Sequence, residues 1–139
     1  MAKYGSGSLI VAVDNSGGSV VAMTQYITSI NSVEVEALLE ESHTFGDSFF
    51  ETLASGVRRC SDLVLTGFFD DTSSTGPDAI FNSVASSPSA STRTVTITWG
   101  GSKTTSFEAL ISKYSRTATR NELTKFEVTL TPTGTITEA

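Results

Sequence analysis

Thr92-Arg93-Thr94-Val95-Thr96-Ile97-Thr98-Trp99 leads into Gly100-Gly101-Ser102 and then into the long run from Lys103 to Arg116. Val95, Ile97 and Trp99 alternate with Thr94, Thr96 and Thr98. A period of two in β-branched residues is the signature of a strand with one apolar face. Gly100-Gly101-Ser102 is a hairpin signal. In the next strand Phe107, Ala109 and Ile111 share one side, and Leu110 and Tyr114 the other. After a turn at 117–121, Glu122 to Leu130 alternates again with Phe126, Val128 and Leu130 in phase. Pro132-Thr133-Gly134 is expected to end that strand, leaving Thr135-Ile136-Thr137 as a short tail. The reading is a three-stranded antiparallel meander over 92–130.

The same period extends toward the N-terminus. Leu9 to Val13 is a short apolar run, followed by turn chemistry at 14–19 and a second apolar segment over 20–27, a hairpin or meander opening. In Val33 to Glu41, Val33, Val35, Ala37 and Leu39 share one side, and Glu34, Glu36 and Glu40 share the other with Leu38. This predicts a strand with an acidic face. Ser42 to Ser61 keeps no clean period yet holds Phe45, Phe49, Phe50 and Leu53, so it reads as a long apolar-bearing loop. Such loops are uncommon in compact domains and usually functional. Leu63 to Phe69 is a central-strand candidate. Gly76-Pro77-Asp78 starts a helix of two to three turns, with Ile80, Phe81 and Val84 on its apolar stripe. Ser86 to Ser91 is expected to end it as a flexible connection. The sum is all-β: an antiparallel β-sandwich or half-barrel with one short flanking α-helix. It forms a single domain over 1–139, with a long loop at about 42–61.

Composition narrows the function. The chain has 139 residues, only 17% of them charged, a net charge of −6 and one residue each of Cys and His. The acidic balance argues against binding nucleic acid by neutralising phosphates. Residues 1–78 carry eleven acids and three bases (−8), and residues 79–139 carry four acids and six bases (+2). Such asymmetry suits a protein that pairs one face with the opposite face of its own copy, although folding can also mix both parts on one surface. No apolar run approaches the roughly 18 residues of a spanning helix, and the opening residues lack a signal-peptide core, so no membrane partner is expected. Cys60 follows Arg58 and Arg59, a setting that can activate a thiol, but a structural cysteine is the simpler reading. No triad signature surrounds His43. Asp70, Asp71 and Asp78 lack the glycine and terminal glutamate of a calcium loop. No catalytic, cofactor or metal site is therefore expected.

The ordered series VEVEALLEESHTFGDSFFE, SGVRRCSDLVLTGFFDD, GPDAIF, TRTVTITWGG and ELTKFEVTLTPTGTITEA resembles the major tail tube proteins of long-tailed (siphovirus-like) bacteriophages. The resemblance lies in the order and spacing of all five stretches and spans most of the chain. It implies a virion structural protein, assembled in the host cytoplasm, whose copies close into hexameric rings that stack into a hollow tail tube. It also implies partners: a tape-measure protein that sets tube length, and tail-tip and terminator proteins. Double-stranded DNA would pass through the tube without specific binding. An acidic lumen repels phosphates, and Glu34, Glu36 and Glu40 are the candidate lining. Alternation separates two sides without saying which is inside, so that face is either the lumen or an outer solvated one. The loop supplies the candidate inter-subunit and inter-ring contacts: Phe45, Phe49, Phe50 and Leu53 as anchors, with Arg58 and Arg59 meeting acids on a neighbour. The rival is a monomeric β-sandwich binding or adhesion module, which would display Trp99 and other aromatics in an exposed patch.

Overall fold

In the computed structural model, which describes residues 3–15, 18–82 and 92–139, nine strands and one helix follow in the order β1 (Ile10–Asp14), β2 (Val20–Ala22), β3 (Ile27–Ile30), β4 (Val35–Ser42), β5 (Glu51–Cys60), β6 (Leu63–Phe68), α1 (Pro77–Phe81), β7 (Arg93–Gly100), β8 (Lys103–Thr117) and β9 (Lys125–Glu138). Seven strands form one antiparallel sheet in the order β2-β1-β7-β8-β9-β6-β3, and β4 pairs only with β5.

The two edge strands of the large sheet are consecutive in sequence. Only Met23 to Tyr26 separate β2 from β3. Seven strands laid flat would put those edges about 29 Å apart. Five peptide steps cannot reach more than about 18 Å. The sheet must therefore curl, and backbone hydrogen bonds hold the link in place. Met23 N–H donates to Val11 O (2.9 Å), Tyr26 N–H to Met23 O (3.0 Å) and Phe68 N–H to Tyr26 O (3.0 Å). The result is a half-barrel made from a single sheet, rather than a sandwich of two. Its concave face is the core: Val11 and Val13, Leu63 and Leu65, Val95 and Ile97, Phe107 and Ala109, and Phe126, Val128 and Leu130, all buried. Alternation along β6, β7 and β9 reads as expected. The turn after β7 is two residues long, and Gly101 (φ 56°) and Ser102 (φ 71°) both occupy the left-handed region that a twisted hairpin requires.

Four details depart from the sequence reading. Ser42–Ser61 is not one loop: Glu51–Cys60 is the strand β5. β9 does not stop at Pro132. It continues to Glu138 paired with β8, because β6 has already ended opposite Leu130 and leaves that side of β9 without a ladder to interrupt. Two extra residues around Gly134 (φ 79°) are taken up as a bulge. Tyr114 does not lie on the face opposite Phe107, because a bulge near Ser112 shifts the phase of β8 and turns Tyr114 toward Phe81 and Phe126, with ring centroids 6.3 and 6.2 Å away. Trp99 is not core either. Its strand outruns the packed interior, and its indole N–H donates to Thr105 Oγ1 (2.8 Å), whose hydroxyl donates to Glu138 Oε1 (2.9 Å).

The helix α1 begins at Pro77 as expected and caps the concave face with Ile80 and Phe81. Val84 and the connection at 86–91 lie outside the described residues. Two polar ties hold the helix. Buried Arg93 donates from Nη1 to Ile80 O (3.0 Å) and Asp14 O (3.1 Å), satisfying a helix-end carbonyl. Tyr114 Oη donates to Asp78 Oδ1 (3.2 Å), beside Arg116 Nη1 at 3.4 Å.

Two outcomes follow for stability. Gly67 faces the core where β6 meets the closing link, and an added Cβ would overlap the Tyr26 carbonyl oxygen and press on the Phe126 ring. Gly67→Ala is expected to cost about 1–3 kcal/mol in denaturant melts, as overpacking does. Burial, followed by the Asp78 carboxylate, pushes the Tyr114 phenol above its ordinary value of 10.0. The folded protein then holds this proton more tightly than the unfolded chain. Its contribution is complete below about pH 10 and is lost as pH rises beyond it. Tyr114→Phe should flatten the fall in Tm above pH 10; an unchanged alkaline slope would contradict that assignment.

Candidate functional site

The β4–β5 ribbon is an arm that leaves the half-barrel. It continues the β3–β6 pair, and a short polar ladder carries one into the other. Asn31 N–H donates to Val64 O (3.1 Å), Val64 N–H to Asn31 Oδ1 (2.8 Å), and Ser61 N–H to Glu34 O (2.9 Å). The β3–β6 pair starts at Ile27–Gly67 and runs toward Ile30–Leu65. The arm therefore points away from the end of the barrel that holds Phe68 and the β8–β9 turn. Pairing runs from Val35–Cys60 to Ser42–Glu51, with a break between Ala37 and Leu39 where β5 carries two extra residues at Gly56 (φ 86°).

The tip, 43–50, is closed by Asp47. Its carboxylate accepts from Thr44 N–H (2.7 Å), and its own N–H donates to Thr44 O (3.0 Å). His43 packs on Phe50 with ring centroids 4.5 Å apart. Phe45 is fully exposed, Phe49 is 87% exposed, and Phe50, Leu53, Val57, Leu39 and Val35 are all exposed as well. The structure thus gathers the four apolar residues singled out in the sequence, Phe45, Phe49, Phe50 and Leu53, at or beside one tip. It separates Arg58 and Arg59 from them: both stand near the root of the arm.

An isolated two-stranded ribbon is marginally stable in water, and apolar side chains on both faces of one are costly to leave wet. The whole-chain accessible surface is 9124 Å², against about 7,000 Å² expected for a compact monomer of this mass. Near the tip the charge is one-sided: residues 40–51 carry Glu40, Glu41, Asp47 and Glu51 and no Lys or Arg.

The predicted acidic lining residues also lie on the arm. Glu36 pairs with Arg59 directly across the ribbon (3.0 Å), so much of its charge is offset, and this commits Arg59 within its own chain. Glu34 sits at the root and Glu40 nearer the tip, both exposed. Cys60 lines a cleft of about 390 Å³ between the arm root and Gly134–Glu138. Burial, with the carboxylates of Asp62 and Glu138, pushes its thiol up rather than down, so Arg58 and Arg59 do not activate it. Among the described residues no group of three potential ligands gathers for a metal, and no helix is long and apolar enough to cross a membrane.

No protein-family model matches the sequence, and no curated protein does. Solved structures do match the fold. A chain of the six-fold symmetrised anti-feeding prophage (AFP) baseplate superposes with a TM-score of 0.79 at 14% identity, over 100% of this chain and 97% of that one. A chain in the tail of an empty gene transfer agent particle, refined helically with C6 symmetry, gives 0.76 at 11% identity over 99% of both chains. A chain of the sheath-tube complex of an extracellular contractile injection system gives 0.72 at 13%, covering 99% of this chain and 91% of that one. The chain has the tail-tube fold. These particles include a contractile system and a gene transfer agent, so the tail-tube fold is not tied to the long-tailed, siphovirus-like type that the resemblance implied.

Because the arm stands clear of the core, limited chymotrypsin treatment of the free subunit should nick first after Phe45, Phe49 or Phe50 while the half-barrel strands persist. First cleavage elsewhere among the described residues would contradict an exposed arm.

Proposed function

We propose that this chain is a structural, non-enzymatic subunit of a phage-like tail tube. Copies close into six-membered rings, the rings stack around a channel, and the arm carries contact from one copy to the next. The observation that carries this reading is the arm itself: an apolar-tipped, acidic ribbon without a core of its own, on a tail-tube half-barrel. The symmetry of the neighbours' particles supports the six-fold count, and their sheath, terminator and cap contexts support assembly with dedicated end-proteins. A tape-measure protein is the length-setting partner in this reading, and the finished location is the virion tail.

Double-stranded DNA is the cargo we assign to the channel. A chain of net charge −6 offers little to phosphates, so transit releases no counterions and meets little adhesion. The channel's negative potential is assigned to the acids along the arm, Glu34 at its root, Glu36 with its charge offset by Arg59, and Glu40 nearer the tip. Phe45, Phe49, Phe50 and Leu53 are the contact anchors, and Arg58 is the remaining cation of the arm.

The test is electron microscopy with light scattering over a concentration series, with and without the tail-tip proteins of the same particle. Uniform hollow tubes are expected. Phe49→Asp combined with Phe50→Asp should leave the monomer's stability within about 0.5 kcal/mol, as exposed substitutions do, and should abolish tubes. Tubes formed by that variant would remove the arm from the mechanism. A subunit that stays monomeric even with tip proteins would favour the binding-module reading.

A further inference from the structure

The ribbon and the barrel each present one uncharged side. Cross-strand partners in a ladder share a side. In the ribbon Val35 stands beside Cys60, Ala37 beside Arg58 and Leu39 beside Ala54, while Glu36 with Arg59 and Glu40 with Leu53 share the opposite side. The first side is therefore apolar through its middle, and its charges are Arg58 toward the root and Glu41 toward the tip. Val35 and Leu39 on it are exposed. On the barrel, Val11, Val13, Val95, Ile97 and Phe107 point into the core, so the residues between them point outward. Register lines those outward residues up in rows. Ala22, Ala12, Thr96, Ser106 and Thr137 cross five strands without a charge, and Ile10, Thr98 and Thr104 form the next row. Val20, 70% exposed, and Ile10, 51% exposed, belong to this side. The acids at its rim are turned to their own chain. Glu108 accepts from Thr94 Oγ1 (2.5 Å), and Asp14 has one carboxylate oxygen buried and acts on the Arg93 guanidinium. The outer side of the other half of the sheet differs. Its rows are Val64–Thr129–Lys113, Thr66–Glu127–Ser115 and Phe68–Lys125–Thr117, and each holds a charge.

We propose that the uncharged outer side of β2, β1, β7 and β8 is the acceptor for the apolar side of the arm ribbon of a second copy of this chain. This rests on the self-assembly reading above and names the surface it uses. Two pleated surfaces pack face to face about 10 Å apart, and the small side chains of the Ala22-to-Thr137 row let the ribbon's Val35 and Leu39 sit close. Docking on the other half would instead desolvate a charge in every row, Lys113, Glu127 or Lys125. A ribbon seated on the uncharged half keeps Glu36 and Glu40 on its far side, where the channel assignment needs them. Arg58 and Glu41, at either end of the apolar stretch, stay at the rim. Donor and acceptor are different surfaces, so the contact is heterologous, and a copy that receives a ribbon still offers its own. The eight residues of β4 make the ribbon's side about 26 Å long and about 10 Å wide. That is well short of the roughly 800 Å² per partner of a self-sufficient interface. The contact therefore holds through repetition around and along a tube, rather than as an isolated dimer.

The full-length protein tests this pairing under the conditions in which wild type forms tubes. Thr96→Lys places a charge at the centre of the acceptor. It should keep the native circular dichroism spectrum and raise the critical concentration for tubes about tenfold or more. Thr66→Lys, an outward position on the other half, should leave that concentration within about twofold. Cross-linking gives a second readout, which stands even if Thr96→Lys unfolds the subunit. In a Cys60→Ser background, a Leu39→Cys chain mixed with a Thr96→Cys chain should form a mixed disulfide. Glu40→Cys with Thr96→Cys should not, because Glu40 is on the ribbon's other side, and neither should Leu39→Cys with Thr66→Cys. Equal effects of the two lysines, or no cross-link between positions 39 and 96 in assembled tubes, would overturn this acceptor while wild-type tubes left the self-assembly reading standing. Wild-type protein that never associates, even with tail-tip proteins, would reject that reading, and this inference with it.

Discussion

The short passage from β2 to β3 governs the molecule. Four residues join the two edges of a seven-stranded sheet, and the chain cannot stretch far enough to leave that sheet flat. Curling gathers the alternating apolar residues of β1, β6, β7, β8 and β9 onto one concave face. It also brings the Tyr26 carbonyl so close to β6 that only glycine fits at position 67. With the core made by one curved sheet, a helix of five residues suffices to cap it, and Arg93 fastens that helix to β1 and β7 through two backbone carbonyls.

The chain between β3 and β6 adds to neither edge of the sheet and runs on as a ribbon paired only with itself. Its residues keep strand propensity and apolar content, so the ribbon forms, but a two-stranded ribbon has nowhere to bury its side chains. In the proposed tube a neighbouring copy supplies that burial. Cys60 has its thiolate disfavoured, and His43 is packed against a phenylalanine at an exposed tip.

Much of this was legible in the alternation of apolar residues. Thr92 to Leu130 reads as an antiparallel meander and folds as one, because side-chain direction in a strand is a local property. The helix start at Pro77 was equally local. Ser42–Ser61 reads as loop in the sequence because β5 is exposed on both faces and so lacks the apolar alternation that marks a half-buried strand. Tyr114 and the continuation of β9 past Pro132 were misplaced because bulges shift phase and because a proline is harmless wherever a neighbouring strand has ended. Trp99 belongs to a strand that is longer than the core it serves.

Residue pattern alone therefore determined the strand content, the acidic and thinly charged surface, and the aromatic set Phe45, Phe49, Phe50 with Leu53 as something other than core. Only the tertiary structure decided that the sheet is a half-barrel rather than a sandwich. It likewise decided that those aromatics stand at the tip of a ribbon rather than in a loop folded against the body, and that Glu36 and Arg59 neutralise each other. The physical reason is that alternation assigns each residue to a side, whereas curvature, register and the direction of an unpaired ribbon depend on which strands close against which. That is set by chain length and non-local hydrogen bonds.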